Sequence, residues 1–423
     1  MKRYDSYKDS GVKCLGEIPS HWEVCRFKNI ASLITTPSSD KRKVGLENIE
    51  SGCGRFLQTD NQFEGNGVQF EVEDVVYGKL RPYLKKVWIA SFSGNAVGDF
   101  FVFRPDKRIN NRYLFYLMLS DSFTDDINSS TYGAKMPRVS SEYILTLGCA
   151  VPLITEQEAI ANYLDAVTSK IDDAIAQQQK MIDLLNERKQ IIINNAVTKG
   201  LNPNVKMKPS GIDWIGDIPE HWDVFKTLYA LSMPITDGPH ETPELLESGI
   251  PFISAEAISG GSIDFSHKRG YVSEAFYRDC CKKYIPQLHD VYMIKSGATT
   301  GKTAIVETED IFTIWSPLAV FRANKDVINP YFLLNALRAT YYTKQVELNW
   351  SYGTQQNIGM RILEKLLLCV PPVLEQIAIL DYIDSSIIPI NKAIECANKQ
   401  ISLLQERKQI IINDVVTGKV KVC

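Results

Sequence analysis

Apolar residues at Ile160, Leu164, Val167, Ile171, Ala174, Met181, Leu185 and Ile192 fall at alternating steps of four and three, the seam of a heptad helix. Gln178, Arg188 and Asn195 interrupt that seam. Polar residues there cost stability but can fix register and partner number; imperfect packing explains them equally well. The stretch then returns. LLNERKQIIINNAVT, Leu184 to Thr198, reappears as LLQERKQIIINDVVT, Leu403 to Thr417, with twelve of fifteen positions identical. Upstream, VPLITEQEAIANYLD from Val151 matches VPPVLEQIAILDYID from Val370 with eight identities in fifteen. Pro152 and Pro371 suit a helix start, and Glu156 and Glu375 sit where the helix dipole favours an acid. The pattern predicts two helices of ~42 residues, about 60 Å each at 1.5 Å per residue. Pro389 lies inside the second, where a missing backbone donor predicts a kink or break between Asp384 and Pro389.

A second repeat opens each half. KDSGVKCLGEIPSHWEV, Lys8 to Val24, returns as KPSGIDWIGDIPEHWDV, Lys208 to Val224, with nine identities in seventeen. The chain is a tandem of two units, each with an opening motif, a variable body, an exit motif and a long helix. Trp22 and Trp222 read as apolar anchors, with a base-stacking surface as the alternative. The bodies, about 25–150 and 225–369, read as mixed α/β. VQFEVEDVVYG and YVSEAFYRD suggest strands, and RYLFYLMLSDS and PYFLLNALRAT suggest helices. The shared V-F-R at Val102 to Arg104 and Val320 to Arg322 marks one fold in both bodies.

The expected fold is α+β: two similar mixed α/β domains, 1–150 and 201–369, separated by long antiparallel coiled-coil helices, 151–200 and 370–423, in a pseudo-twofold tandem repeat. For the second helix to pair its seam with the first, it must run back, so both termini should lie near the first body.

Length and composition permit two or more domains: 423 residues with 44% hydrophobic positions. The absence of a leader pattern and of any apolar run approaching ~18 residues predicts a soluble, cytoplasmic protein without a membrane partner. Nine cysteines without a C-x-x-C pair fit reduced thiols. A net charge of -3 gives no bulk sign of nucleic acid, so local charge must carry that reading.

KSGATTGKT, Lys295 to Thr303, approaches a phosphate-binding P-loop, but three residues rather than four separate Gly297 from Gly301. A hairpin tip that brings Thr299, Thr300 and Lys302 to a phosphate backbone, or a plain turn, fits better. Asn329-Pro330-Tyr331-Phe332 resembles the N/D-P-P-Y/F loop of adenine methyltransferases but lacks one Pro, and no G-x-G cofactor loop accompanies it. It reads as a loop and a helix start. With five scattered His, neither a metal site nor a nucleophilic triad is expected. Asp237-Gly238-Pro239-His240 reads as a tight turn, or as a loop tip in which His240 faces a partner.

What remains is basic, aromatic and amide-rich loops. Lys79-Leu80-Arg81-Pro82-Tyr83-Leu84-Lys85-Lys86 places four cations and a ring in eight residues. Tyr132 to Arg138, with Lys135, and Tyr352 to Asn357, with Gln355 and Gln356, occupy matched places before each exit helix. Such side chains can meet purine edges in the major groove. The candidate DNA contacts are therefore Lys79, Arg81, Tyr83, Lys85, Lys86, Lys135, Arg138, His240, Lys295, Thr299, Thr300, Lys302, Gln355, Gln356 and Asn357.

With both repeats, the V-P-x-x-x-E-Q-x-x-I exits, the E-R-K-Q-I-I-I helix ends, D-G-P-H and S-G-A-T-T-G-K-T, the chain resembles the specificity subunit of type I restriction-modification enzymes. The resemblance implies two target recognition domains, each reading half of a bipartite site in double-stranded DNA, and spacer helices that dock two modification subunits. Those subunits bind S-adenosylmethionine and methylate adenine N6, and restriction subunits can join. This chain would then carry no cofactor and no catalysis. The first body lacks a clear D-G-P-H or S-G-A-T-T-G-K-T string. A coiled-coil adaptor that binds only proteins, and a self-sufficient methyltransferase or nuclease, are the competing classes.

Overall fold

A computed structural model describes residues 2–38, 42–59, 63–133, 135–212, 214–352 and 356–422. The chain divides into two compact units, Met1–Lys180 with Ala397–Cys423, and Met181–Cys396. Each unit takes part of both long helices. In unit 1 the last residues return to the first, with Lys421 N donating to Lys2 O at 2.9 Å, as expected from the helix order.

The units repeat one frame. In unit 1 the strand Glu23–Arg26 pairs antiparallel with Gly148–Val151; in unit 2 Asp223–Lys226 pairs antiparallel with Leu367–Val370. Each body centres on a four-stranded antiparallel sheet. Its order is Ala31–Ile34, Phe100–Pro105, Val75–Gly78, Val87–Ile89 in unit 1, and Thr236–Asp237, Leu318–Phe321, Val291–Ile294, Thr303–Ile305 in unit 2. V-F-R lies on the second of these strands in unit 1 and at its end in unit 2, where Arg322 follows the last strand residue, Phe321. Arg104 and Arg322 each donate two hydrogen bonds, at 2.8–2.9 Å, to the buried Asp74 and Asp290. These bidentate pairs hold both guanidinium groups above their ordinary pKa.

The long helices span Ile154–Lys199 and Val373–Val416. Both begin three residues after the exit valine, which belongs to the preceding strand. A buried glutamine fixes each departure. Gln157 Oε1 accepts from Asn110 N at 2.7 Å, while Nε2 donates to Arg108 O and Pro152 O. Gln376 does the same with Asn329 N, Val327 O and Pro371 O. Asn110 and Asn329 in turn cap the helices Asn111–Leu119 and Pro330–Arg338. One side-chain amide thus joins exit strand, cap and long helix.

Trp22 and Trp222 are fully buried, which settles them as anchors. Trp22 Nε1 donates to Glu156 at 3.1 Å, and His21 and Tyr4 reach the same carboxylate. Glu375 contacts His221 at 2.7 Å, whereas Trp222 Nε1 lacks a partner among the described residues. Each long helix ends at a left-handed glycine seated on such an anchor. A Cβ on Gly418 would lie 2.3 Å from Pro19 Cδ, and one on Gly200 would lie 3.2 Å from the Trp222 ring.

Within unit 1 the first long helix meets the second through Asp172 and Lys408, at 2.7–2.8 Å. Within unit 2 Lys189 donates to Asn391 at 3.0 Å. Within unit 1, Trp22 meets Glu156 near the start of the first helix and Gly418 just past the end of the second, so moving from 156 to 172 on one moves from 418 to 408 on the other, and these segments run in opposite directions.

Three expectations need correction. The heptad seam holds for Ile160, Leu164 and Ile171, but Met181 is exposed and Leu185 and Ile192 are only half-buried; Ile182, Ile193, Ala196 and Val197 are buried instead. Residues before 181 pack into the core of unit 1 and Ile193, Ala196 and Val197 into that of unit 2. Each part turns its apolar face to its own body, and this overrides the heptad. The second helix continues through Pro389 without a break. The buried Ile383 and Ile390 pack on both sides of the lost backbone bond. Finally, YVSEAFYRD is a strand, Gly270–Val272, followed by the helix Glu274–Cys281, because the Ser273 hydroxyl caps that helix by accepting from Phe276 N.

Replacing Gln157 with Ala removes the partner of three backbone groups, one of them in a buried bond, and the expected loss is about 1–3 kcal/mol. Thermal unfolding should show it for Gln157→Ala and Gln376→Ala alike. A change near 0.5 kcal/mol or less in both would remove the amide from its role.

Candidate nucleic-acid interface

The basic and amide-rich loops meet in pairs at corresponding places in the two units. In unit 1, Arg81 N donates to Pro137 O at 2.7 Å and Val139 N to Lys79 O at 3.2 Å, which binds the Lys79–Lys86 loop to the Tyr132–Arg138 turn. In unit 2, Gly297 N donates to Gln356 O at 3.0 Å and Ile358 N to Lys295 O at 2.9 Å, which binds the Lys295–Thr303 turn to the Ser351–Asn357 hairpin. Both assemblies grow from the end of the same central strand, Val75–Gly78 or Val291–Ile294.

S-G-A-T-T-G is a hairpin tip. Ile294 N donates to Lys302 O and Gly301 N to Ile294 O, both at 2.8 Å, and Gly297 and Gly301 take positive φ angles of 105° and 92°. A strand, Thr303–Ile305, follows Lys302 where a P-loop requires a helix. Thr299 and Lys302 are exposed, and the Thr300 hydroxyl turns inward to Gly297 O at 2.7 Å. Gln356 and Asn357 are exposed, while Gln355 lies outside the described residues. Asn329 caps its helix and Pro330 opens it, so N-P-Y-F is the loop and helix start expected.

The unit 1 loop has another shape. A short 3₁₀ turn, Pro82–Leu84, is flanked by Arg81 at φ 50° and Lys85 at φ 49°, both left-handed. Such conformations cost free energy in non-glycine residues and persist only where the surroundings hold them. Lys85 supplies part of that hold: Nζ contacts Asp121 and donates to Gln409 at 2.8 Å. Lys86 Nζ donates to Leu46 O and Ile49 O at 2.7 and 2.8 Å, and burial lowers its pKa. These two ammonium groups are engaged inside unit 1, whereas Arg81, Tyr83, Tyr132 and Lys135 project outward, the two rings 51% and 60% exposed.

Two acids organise the cations, Asp99, which the sequence did not single out, and Asp237 of D-G-P-H. Asp99 takes Arg138 at 3.0 Å and Lys79 at 3.8 Å, and its hydrogen bonds hold the Arg138 guanidinium above its ordinary pKa. Asp237, fully buried, gathers Lys283, Lys295 at 3.2 Å and His240 at 3.1 Å. Its Oδ2 faces the last two at ion-pair distance yet accepts no hydrogen bond. D-G-P-H is not the tight turn expected: Asp237 ends the strand Thr236–Asp237, and from there its carboxylate ties Lys295, at the base of the hairpin tip, to the sheet. Gly238 is required there, since a Cβ would lie 2.1 Å from Ile314 O. His240 stays largely exposed beside it.

Among the described residues, no three His, Cys, Asp or Glu side chains gather as metal ligands, and no helix is long and apolar enough to cross a membrane. The arrangement offers paired loops with outward cations, rings and amides, shaped to meet a polyanion with readable edges.

Asp237→Asn removes the carboxylate from two lysines at a buried site, and about 3–5 kcal/mol of stability should go with it. Amide exchange across 294–302 should quicken more than in Gly67–Phe70. Unchanged protection at 294–302 would contradict the tether.

Residues 19–183 match the family model for the type I restriction modification DNA specificity domain. The chain is 25% identical over 448 residues to the type I restriction enzyme MjaVIII specificity subunit of Methanocaldococcus jannaschii, covering 98% of this chain and 97% of the relative. It is 27% identical over 190 residues to the EcoDI specificity subunit of Escherichia coli, covering 41% of this chain and 42% of that one. A solved structure from work on complex assembly and conformational transition of the type I R-M system shares the fold, with a TM-score of 0.68 at 18% identity over 95% of this chain and 99% of the other.

Proposed function

We propose that this chain, residues 19–183 of which match the type I restriction modification DNA specificity domain, is the non-catalytic subunit that selects the DNA sequence for such a complex. Each unit reads one half of a bipartite site in double-stranded DNA. The observation that carries this reading is the pairing of a basic or hydroxyl-bearing turn with an amide- or cation-bearing hairpin at the same place in both units, built from different residues. Equal frames with unequal contents suit two readers of two words.

Arg81, Lys135 and Lys302 are assigned to phosphates, Tyr83 and Tyr132 to stacking or sugar contacts, and Gln355, Gln356 and Asn357 to base edges. Lys79, Lys85, Lys86, Arg138 and Lys295 shape the loops through the contacts described, and Thr299, Thr300 and His240 line their margins. The long helices contain 46 and 44 residues, about 65–70 Å at 1.5 Å per residue.

Two modification subunits dock on the helices and supply S-adenosylmethionine and the methyl transfer to adenine; restriction subunits join the same assembly. The docking surface is a repeated apolar pair. Leu184 and Ile191 are 55% and 50% exposed, and their counterparts Leu403 and Ile410 are 54% and 49% exposed. Spaced by seven, each pair lies on one helix face. Apolar side chains left open at the same positions of both repeats fit two copies of one partner. The adaptor reading leaves the paired loops without a purpose.

In the assembled complex, Arg81→Ala and Lys302→Ala should weaken DNA binding across sequences and lower the salt slope by about one each, while Gln356→Ala should relax preference at one base position. An unaltered salt slope in both cation variants would remove those loops from the interface. Leu184→Glu with Ile191→Glu should leave one modification subunit per chain in native mass spectrometry; two retained subunits would refute the docking surface.

A further inference from the structure

In unit 1 a notch forms where a body loop leans on the long helices, and its charges differ from those at the corresponding positions of unit 2. In unit 1 the notch is a cavity of about 340 Å³ lined by Glu50, Gly52, Arg55, Asp172, Lys408 and Gln409, among others. It is balanced: Lys408 donates to both oxygens of Asp172, and Arg55 lies 3.6 Å from Glu50.

In unit 2 the repeat puts Lys189 where Lys408 stood and Gln190 where Gln409 stood, but Asn391 in place of Asp172. Lys189 donates to that neutral amide at 3.0 Å. A second cation has also entered. The last residue of the helix Asn111–Leu119 is the buried Leu119; its counterpart at the end of Pro330–Arg338 is Arg338. Gln190 Nε2 donates to the Arg338 carbonyl at 3.1 Å, and the guanidinium lies over Gly261, where a Cβ would stand 2.6 Å from Nη1. Gly261, at φ 100°, makes room for it. Among the described residues, no carboxylate lies within 4.0 Å of either cation, and the Arg338 guanidinium makes no hydrogen bond. Burial lowers the pKa of both groups, and the charge of Arg338 lowers that of Lys189 further. The helix C-terminus beneath Arg338 offers only a fractional negative charge. Two partly desolvated cations without an anion form a costly arrangement that an added oxyanion would relieve.

We propose that this cation pair of unit 2 binds a phosphate-type oxyanion, held by Lys189 Nζ and the Arg338 guanidinium with the Asn391 amide as a further donor. The site is independent of the loops assigned to base reading. Its source is either a free phosphate ion or a phosphate of a bound duplex, and the two are separable.

The test is thermal unfolding of the intact chain in sodium phosphate against sodium chloride at equal ionic strength. Phosphate should raise Tm beyond chloride, as binding to the folded state requires. Asn391→Asp copies the acid of unit 1, so it should raise Tm without phosphate and weaken the phosphate response at least tenfold. Arg338→Leu copies the other repeat and should weaken the response equally, while Asp172→Asn should leave the unit 2 response intact. Equal shifts in phosphate and chloride, or a full phosphate response in Asn391→Asp, would overturn the proposal. If the duplex is the source, Asn391→Asp also lowers the salt slope of DNA binding in the complex by about one; with a free ion the slope stays. Loss of modification-subunit docking in Asn391→Asp, without any phosphate response in the parent, would mean a protein carboxylate meets the cation pair, and the phosphate site would be refuted.

Discussion

A single buried side-chain amide decides where each long helix leaves its body. Gln157 and Gln376 each bind the carbonyl at the helix start, the carbonyl before the next helix cap and the backbone N–H of that cap. A helix of more than forty residues is a lever, so a small change of angle at its first turn becomes a large displacement at its far end. Three hydrogen bonds from one side-chain amide fix that angle. The same lock in both units explains how bodies of different content can sit on one frame.

Freed from holding the frame, the outward loops can vary, and the two units anchor them by different means. Unit 1 supports a left-handed turn from below with Lys85 and steadies Arg138 through Asp99. Unit 2 uses a glycine hairpin tip tied at its base to the buried Asp237. Both solutions place cations and amides at the end of the same central strand. Rigid support under a variable tip suits a reader of base edges, because hydrogen bonds discriminate bases only when their donors are held in place.

Much of this was legible in the sequence because it is local or repeated. The long helices announce themselves through periodicity and through the E-R-K-Q-I-I-I copies, and the glycine spacing in S-G-A-T-T-G points to a hairpin tip. The E-Q pair of each exit motif was visible as a repeat, but its role was not: the partners of Gln157 lie at Arg108 and Asn110, brought near only by the fold. Lys85 and Lys86 read as free cations in a basic run. Their partners, Gln409 for one and the Leu46 and Ile49 carbonyls for the other, are far away in sequence. Asp237 looked like one residue of a turn, and only its burial reveals it as the anchor of two lysines. The seam failed after residue 180 for a related reason, since periodicity reports an apolar face but not which core that face meets.

The central claim is that one constant frame carries two independent readers. Its most direct test is a map of N6-methyladenine in cells that carry this chain with its modification partner, before and after residues 27–147 are replaced by the corresponding body of a relative. The account predicts a motif in two parts whose first or second part alone changes, with the gap between them unaltered. A continuous motif, or a replacement that changes both parts or neither, would contradict it.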